Sequence, residues 1–149
     1  MPTLALQSSR LRSLQGYWDG KRAGRRMPAR RDIDPGEIPE LLPYVMLIEV
    51  LRDPLDFRYR LIGTEVVAIS HADYTGRRFS ELQGKGPGSV VWLSCETVLE
   101  SGEPASVLPP YVGPDRHVHC TENLLLPLSD DDRTVAMIFK GIDYVRARR

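Results

Sequence analysis

Phe57-Arg58-Tyr59-Arg60-Leu61-Ile62-Gly63-Thr64-Glu65-Val66-Val67-Ala68-Ile69 is the stretch on which the architecture turns. In its first half Phe57, Tyr59 and Leu61 alternate with Arg58 and Arg60, the period of a strand; after Gly63-Thr64 the apolar residues Val66, Val67 and Ile69 take helical spacing. A strand therefore feeds a short helix. Gly63 reads as the source of conformational freedom for the sharp exit, and Thr64 as the cap of the helix.

Upstream, residues 44–51 form a strand with two apolar faces, Tyr44, Met46, Ile48 and Val50 against Val45, Leu47 and Leu51, and such a strand needs cover on both sides. The turn Arg52-Asp53-Pro54-Leu55-Asp56 joins it to the strand from Phe57 as a hairpin. Earlier still, Asp34 before Pro35 is a helix-start signal with room for only a turn or two before Pro43. Residues 4–22 read as an amphipathic helix with Leu4, Leu11, Leu14 and Trp18 on one seam, ended by Gly20 and Gly24. Burying those four side chains is worth roughly 6 to 12 kcal/mol gross.

Downstream, residues 71–82 read as loop with a single helical turn and residues 84–88 as a flexible break. Residues 89–101 form a long helix, with Val91, Cys95, Val98 and Leu99 on one face, Trp92 beside it and Gly102 as its stop. Three strands follow, 105–111, 118–128 and 133–145, the last two joined by a turn at Ser129-Asp130-Asp131-Asp132. Pro109-Pro110 places the first of the three at a sheet edge. The final strand again has two apolar faces, Val135, Met137 and Phe139 opposite Ala136, Ile138 and Ile142.

The 149 residues make one domain, 1–149, with no repetitive or linker-like segment. Neither a membrane span nor a leader with a charged start is present, so a soluble, cytoplasmic protein is expected, with no membrane partner. Cys95 and Cys120 have no paired spacing and read as buried thiols. The net charge of zero conceals an asymmetry: residues 1–31 carry eight Lys or Arg against one acid, and residues 32–149 carry twelve against nineteen. A basic segment lying on an acidic body, of its own chain or of a second copy, is favoured over a nucleic-acid arm, since no aromatic-rich basic face accompanies the arginines.

Candidate chemistry is sparse. His117, His119 and Cys120 are the one metal-capable cluster, but alternation splits them between two faces, so an ion would meet two ligands and no metal site is expected. Arg58 and Arg60 read as ion-pair partners ahead of an anion clamp. No nucleophile elbow, phosphate loop or catalytic acid pair is present, so no enzymatic activity is expected. Glu122 shares its face with Cys120, Leu124 and Leu126, and an inward carboxylate needs a partner. Three readings stay open for it: a ligand-orienting group, the counter-ion of an arginine, or a residue turned outward at a bulge.

The order helix, strand, strand, short helices, long helix and three strands resembles the PAS domain over residues 43–145. Tyr17-Trp18, the run from Pro28 to Pro35, Leu41-Leu42-Pro43, the segment from Phe57 to Thr64 and Thr75-Gly76-Arg77 resemble the bacterial single-domain members. The resemblance implies an α+β fold: a five-stranded antiparallel sheet, small helices over one face with a cavity beneath them, and a flanking helix from residues 4–22 over the other. It implies a sensory or regulatory module, with no nucleic-acid partner, that binds a small, mostly apolar ligand and signals to a protein encoded elsewhere. The alternative is a structural homodimerisation or adaptor module without ligand. Tyr59, Trp92, Cys95, Cys120, Glu122, Met137 and Phe139 are expected to line the cavity, and Leu11, Leu14 and Trp18 to hold a homodimer. Flavin and haem are not expected as cofactors: neither cysteine stands in an Asn-Cys-Arg setting, the long helix contains no histidine, and His71 lies too near the preceding short helix.

Overall fold

The computed structural model describes residues 4–109 and 118–146. The elements run α1 (Ser9–Lys21), β1 (Val45–Leu51), β2 (Asp56–Ile62), α2 (Thr64–Ser70), α3 (Val90–Ser101), β3 (Ala105–Val107), β4 (Val118–Leu128) and β5 (Met137–Arg146), with single 3-10 turns at Arg30–Asp32, Pro35–Glu37, Leu42–Tyr44 and Phe79–Glu81. The five strands form one antiparallel sheet in the order β2-β1-β5-β4-β3. The α+β architecture expected from the sequence is the one observed. Tyr111 and His117 lie outside the described residues, as does the side chain of His119.

Local chemistry accounts for most boundaries. Ser89 caps α3 by accepting from the Trp92 amide, and Gly102 ends the helix in the left-handed conformation at φ 66°. Asp34 caps the turn at Pro35 by accepting from the Gly36 amide. The last strand starts at Met137 and not Arg133, because Asp131 Oδ1 accepts from the amides of Arg133 and Thr134 and holds them in the turn.

Two expectations are corrected. The leading helix begins at Ser9, not at residue 4: Ser8 is its cap, accepting from the Leu11 amide at 3.1 Å, and Gly20 lies inside its last turn. Gly63 is itself the N-cap of α2, at φ −65°, which any residue adopts. Glycine is needed there for proximity: a Cβ would collide with the carbonyl oxygens of Leu42 and Pro43, and the Gly63 amide donates to Val45 O at 2.7 Å.

Register defines the two faces of the sheet. Val45 pairs with Gly141, Leu47 with Phe139, and Gly141 with Leu124, so these residues share one side. That side lies beneath α1, because a Cβ on Gly141 would meet Leu11 and Leu14 at 2.7 and 2.6 Å. Met46, Ile48, Phe57, Tyr59, Leu125, Ile138 and Lys140 share the opposite side, beneath α3, where Phe57 meets Trp92 edge-on at 4.9 Å. Both faces are therefore roofed, and consecutive Leu124, Leu125 and Leu126 are all fully buried.

Leu11, Leu14 and Trp18 are 1%, 1% and 0% exposed against the chain's own sheet, and Trp18 Nε1 donates to Pro127 O at 2.9 Å. Burial of the three contributes about 5 to 9 kcal/mol gross. The stripe expected at a dimer contact is thus consumed within one chain, with no side-chain surface left for a second copy to touch.

Candidate functional site

The layer beneath α3 carries a packed cluster of aromatic side chains. Phe57, Phe79, Tyr59 and Trp92 form a continuous cluster, with ring centroids at 5.4 Å for Phe57–Phe79, 4.7 Å for Tyr59–Phe79 and 4.9 Å for Phe57–Trp92. Tyr59 is fixed by its backbone: its amide donates to Arg77 O and its carbonyl accepts from the Gly76 amide, which also blunts the outer edge of β2. Asp56 holds the turn bearing Phe79 in place by accepting from the amide and hydroxyl of Ser80.

On the same side of the sheet lies Lys140, 6% exposed, contributed by β5 between Met46 of β1 and Leu125 of β4. Its ammonium has no hydrogen-bond or ion-pair partner among the described residues, and burial pulls its pKa down to about 8. Cys95, on the inner face of α3, is within electrostatic reach of both Lys140 and Tyr59; burial pushes its thiol up to about 11. Burial also raises the Tyr59 phenol, so it keeps its proton. Lys85 stands at the margin, its ammonium 5.8 Å from the Tyr59 ring centre and 5.6 Å from that of Tyr74, and burial lowers it too. On the same face as Lys140, β4 contributes Asn123, opposite Ile142; the Asn123 Nδ2 donates to Thr121 Oγ1 at 2.8 Å. The Ser94 hydroxyl is spent on Val90 O within the helix.

The opposite face of the same two strands anchors α1. Glu122, 2% exposed, accepts from the amides of Gln7 and Ser8, at 2.8 Å each, one on each carboxylate oxygen. Its cross-strand neighbour Asp143 accepts from Ser8 Oγ at 2.6 Å and pairs with Arg10 at 3.4 Å. An open cleft of about 170 Å³ borders this anchor, lined by Gln7, Ser8, Glu122, Asp143, Tyr144 and Val145.

The seven residues expected to line one cavity are therefore divided. Tyr59, Trp92 and Cys95 do come together beneath α3. Cys120, Glu122, Met137 and Phe139 point to the other side, beneath α1, since Cys120 and Glu122 share the parity of Leu124, and Met137 and Phe139 that of Gly141. Among the described residues Glu122 pairs with no arginine: it clamps two backbone amides, an outcome outside the three readings. Lys140, Lys85, Tyr74, Thr121 and Asn123 were not singled out from the sequence. Lys140 carried a legible signal, because it shares the parity of Ile138 and Ile142 on a strand buried on both sides.

Arg58 and Arg60 pair with Glu49 at 2.6 and 3.7 Å, as ion pairs and not as an anion clamp. The basic first segment lies on the chain's own acids, through Arg10–Asp143, Lys21–Glu37, Arg25–Asp32 and Arg31–Asp130. Among the described residues no group of three His, Cys, Asp or Glu is placed to hold a metal ion, and no helix is long and apolar enough to cross a membrane.

No curated protein matches the chain. The PAS domain family does, over residues 6–142, a span that takes in the anchor segment, α1, both strands bearing the site and α3. With a five-stranded antiparallel sheet roofed by α3 and floored by α1, and a match across nearly its whole length, the chain belongs to the PAS domain family, whose members are in general sensory and not catalytic modules.

Proposed function

We propose that this chain is a cytoplasmic, non-catalytic sensory module that takes a small molecule between α3 and the sheet and signals by changing how α1 is held for a separate protein to read. The observation that carries the reading is the shared use of β4 and β5. On one face they bear Lys140 and Asn123 beneath α3, and on the other Glu122 and Asp143, which fasten the start of α1. A shift of these strands on ligand entry changes both faces together, since neighbouring residues on a strand are rigidly related.

Ligand entry is tested by native mass spectrometry of the purified protein, combined with thermal shifts across a small-molecule library. A retained molecule, or a ligand that raises the melting temperature and alters amide exchange at Gln7 and Ser8, supports the reading. Ligand binding with unchanged exchange at those two amides removes the proposed output.

One observation favours the second reading, an adaptor without ligand. The aromatic cluster of Phe57, Tyr59, Phe79 and Trp92 already fills much of the space beneath α3. Empty extracts and a library that never stabilises the protein select that reading. Homodimer assembly remains part of the proposal through surfaces other than the Leu11, Leu14 and Trp18 stripe; a monomeric mass by light scattering at micromolar concentration rejects it.

A further inference from the structure

Two clefts share Asp143 and Tyr144, where the start of α1 lies against the end of β5. The larger, about 270 Å³, is lined by Arg10, Tyr44, Glu65, Ile69, Asp143 and Tyr144, so α1, the turn before β1, α2 and β5 each contribute to its walls. A guanidinium already occupies part of it. Arg10 lies over the Tyr44 ring at 4.0 Å and reaches both oxygens of Asp143, at 3.4 Å each. The stacking is close, but the ion pair is stretched to the limit of a hydrogen bond, and the Arg10 side chain is 46% exposed. Such a pair adds little to stability. Asp143 has its shorter bonds elsewhere, accepting from Ser8 Oγ at 2.6 Å and from the Tyr144 amide at 2.8 Å. Glu65, half-buried in the first turn of α2, has no hydrogen-bond or ion-pair partner among the described residues.

The cleft therefore sets two carboxylates against one loosely seated cation, a surplus of one negative charge, beside a tyrosine ring that already carries a flat cation. A guanidinium or amidinium fits that combination better than an ammonium, because it stacks on the ring and presents a planar fork of donors to carboxylates. We propose that this cleft binds a small guanidinium or amidinium compound, which takes the place of Arg10 on Tyr44 and Asp143 and is held in addition by Glu65. Displacement reaches α1 directly. Ser8 Oγ donates to the same Asp143 oxygen that Arg10 approaches, and as the helix cap it also accepts from the Leu11 amide at 3.1 Å. The site adjoins α1 and not α3, so it goes beyond the sensory reading above: it is a second input to the same helix and needs no ligand beneath α3.

The test uses the full-length protein with benzamidine and phenylguanidine as probes, and benzamide as the neutral counterpart of benzamidine. Binding is read by titration calorimetry and by the Tyr144 and Leu11 amide resonances in NMR. The expected result is that benzamidine shifts both amides saturably and binds at least about tenfold more tightly than benzamide. Glu65→Gln weakens benzamidine about three- to tenfold, whereas Arg10→Ala, which vacates the seat, tightens it about two- to tenfold. Both substitutions are at partly exposed positions, and the wild-type titration depends on neither. The site is overturned if neither cation binds at up to about 10 mM, or if benzamide binds as tightly as benzamidine. Weaker binding by Arg10→Ala overturns the displacement, since Arg10 would then be gripping the ligand. Acetylarginine amide binding more than about tenfold more tightly than phenylguanidine overturns the free small molecule in favour of a partner protein's arginine side chain. Native mass spectrometry for a molecule beneath α3 is a separate result, so losing this cleft leaves the sensory reading to its own test.

Discussion

Lys140→Met should stabilise the ligand-free protein at neutral pH, and the gain should fade as the solution becomes alkaline. Burial lowers the lysine from 10.5 to about 8. Below pH 8 the side chain is charged in both the native and the unfolded chain, and the native state bears the full burden of holding an ammonium in a buried position. At about 1.4 kcal/mol per unit, the burden is about 3 kcal/mol. Between pH 8 and 10.5 the native chain has released the proton while the unfolded chain still holds it. The unfolded state then binds more protons, so wild-type stability from this group rises with pH, and above 10.5 the burden is gone. Methionine has a similar length and costs about 1 kcal/mol in repacking. The net gain at pH 7 is then about 2 kcal/mol, or about 4 to 8 °C in melting temperature for a domain of this size. Urea titrations of both proteins from pH 6 to 10 give the difference directly, with contributions from unchanged groups cancelling. A variant less stable than wild type at pH 7, or a difference that stays flat across that range, would mean that Lys140 is compensated inside the fold, and the reasoning about an unmatched charge would be wrong.

Three further outcomes follow from the geometry. Glu122→Ala removes two charge-assisted hydrogen bonds and should cost about 2 to 4 kcal/mol, with amide exchange at Gln7 and Ser8 accelerated first; unchanged protection there would show that the carboxylate does not hold the helix entry. Trp18→Ala should lower stability by about 3 to 5 kcal/mol by denaturant titration, since the indole is fully buried and its N–H satisfies Pro127 O; a loss below about 1 kcal/mol contradicts the cis packing of α1. Gly63→Ala separates two ideas about one glycine. If only backbone freedom mattered, the allowed φ would make alanine neutral or stabilising by up to about 1 kcal/mol; collision with Leu42 O and Pro43 O predicts instead a loss of about 1 to 3 kcal/mol in a urea melt.

The order of elements was legible because the periodicity changes where the caps sit: strand to helix at Gly63, helix at Ser89 and stop at Gly102, turn at Asp34-Pro35. The assignment of faces was not. β4 and β5 are apolar on both sides, so alternation sorts their residues into two groups without stating which group meets α3. That is why Met137 and Phe139 were expected beneath α3 beside Tyr59 and are found beneath α1. Gly141 was the available clue, a residue without a side chain in a run of large ones, marking where Leu11 and Leu14 press closest. Lys140 is masked by the strand's apolar members, although a charge placed between Ile138 and Ile142 has to be buried. The partners of Glu122 left no trace at all. They are main-chain amides 115 and 114 residues away, and every residue except proline offers the same donor.

α1 is fastened at three places by different kinds of bond. Its beginning is held by two acids, its last turns by the Trp18 indole, which donates to Pro127 O, and the segment after it by Asp132, which takes the amides of Arg26 and Met27, while Pro28 O receives the Ser129 amide. A rod pinned by its last turns and by the segment after it cannot slide along its bed, but its head can lift once Glu122 and Asp143 release it. A disturbance of β4 and β5 should therefore emerge as a tilt that frees residues 4–8, and under the proposed sensory reading the signal would be how often that short leading peptide lets go.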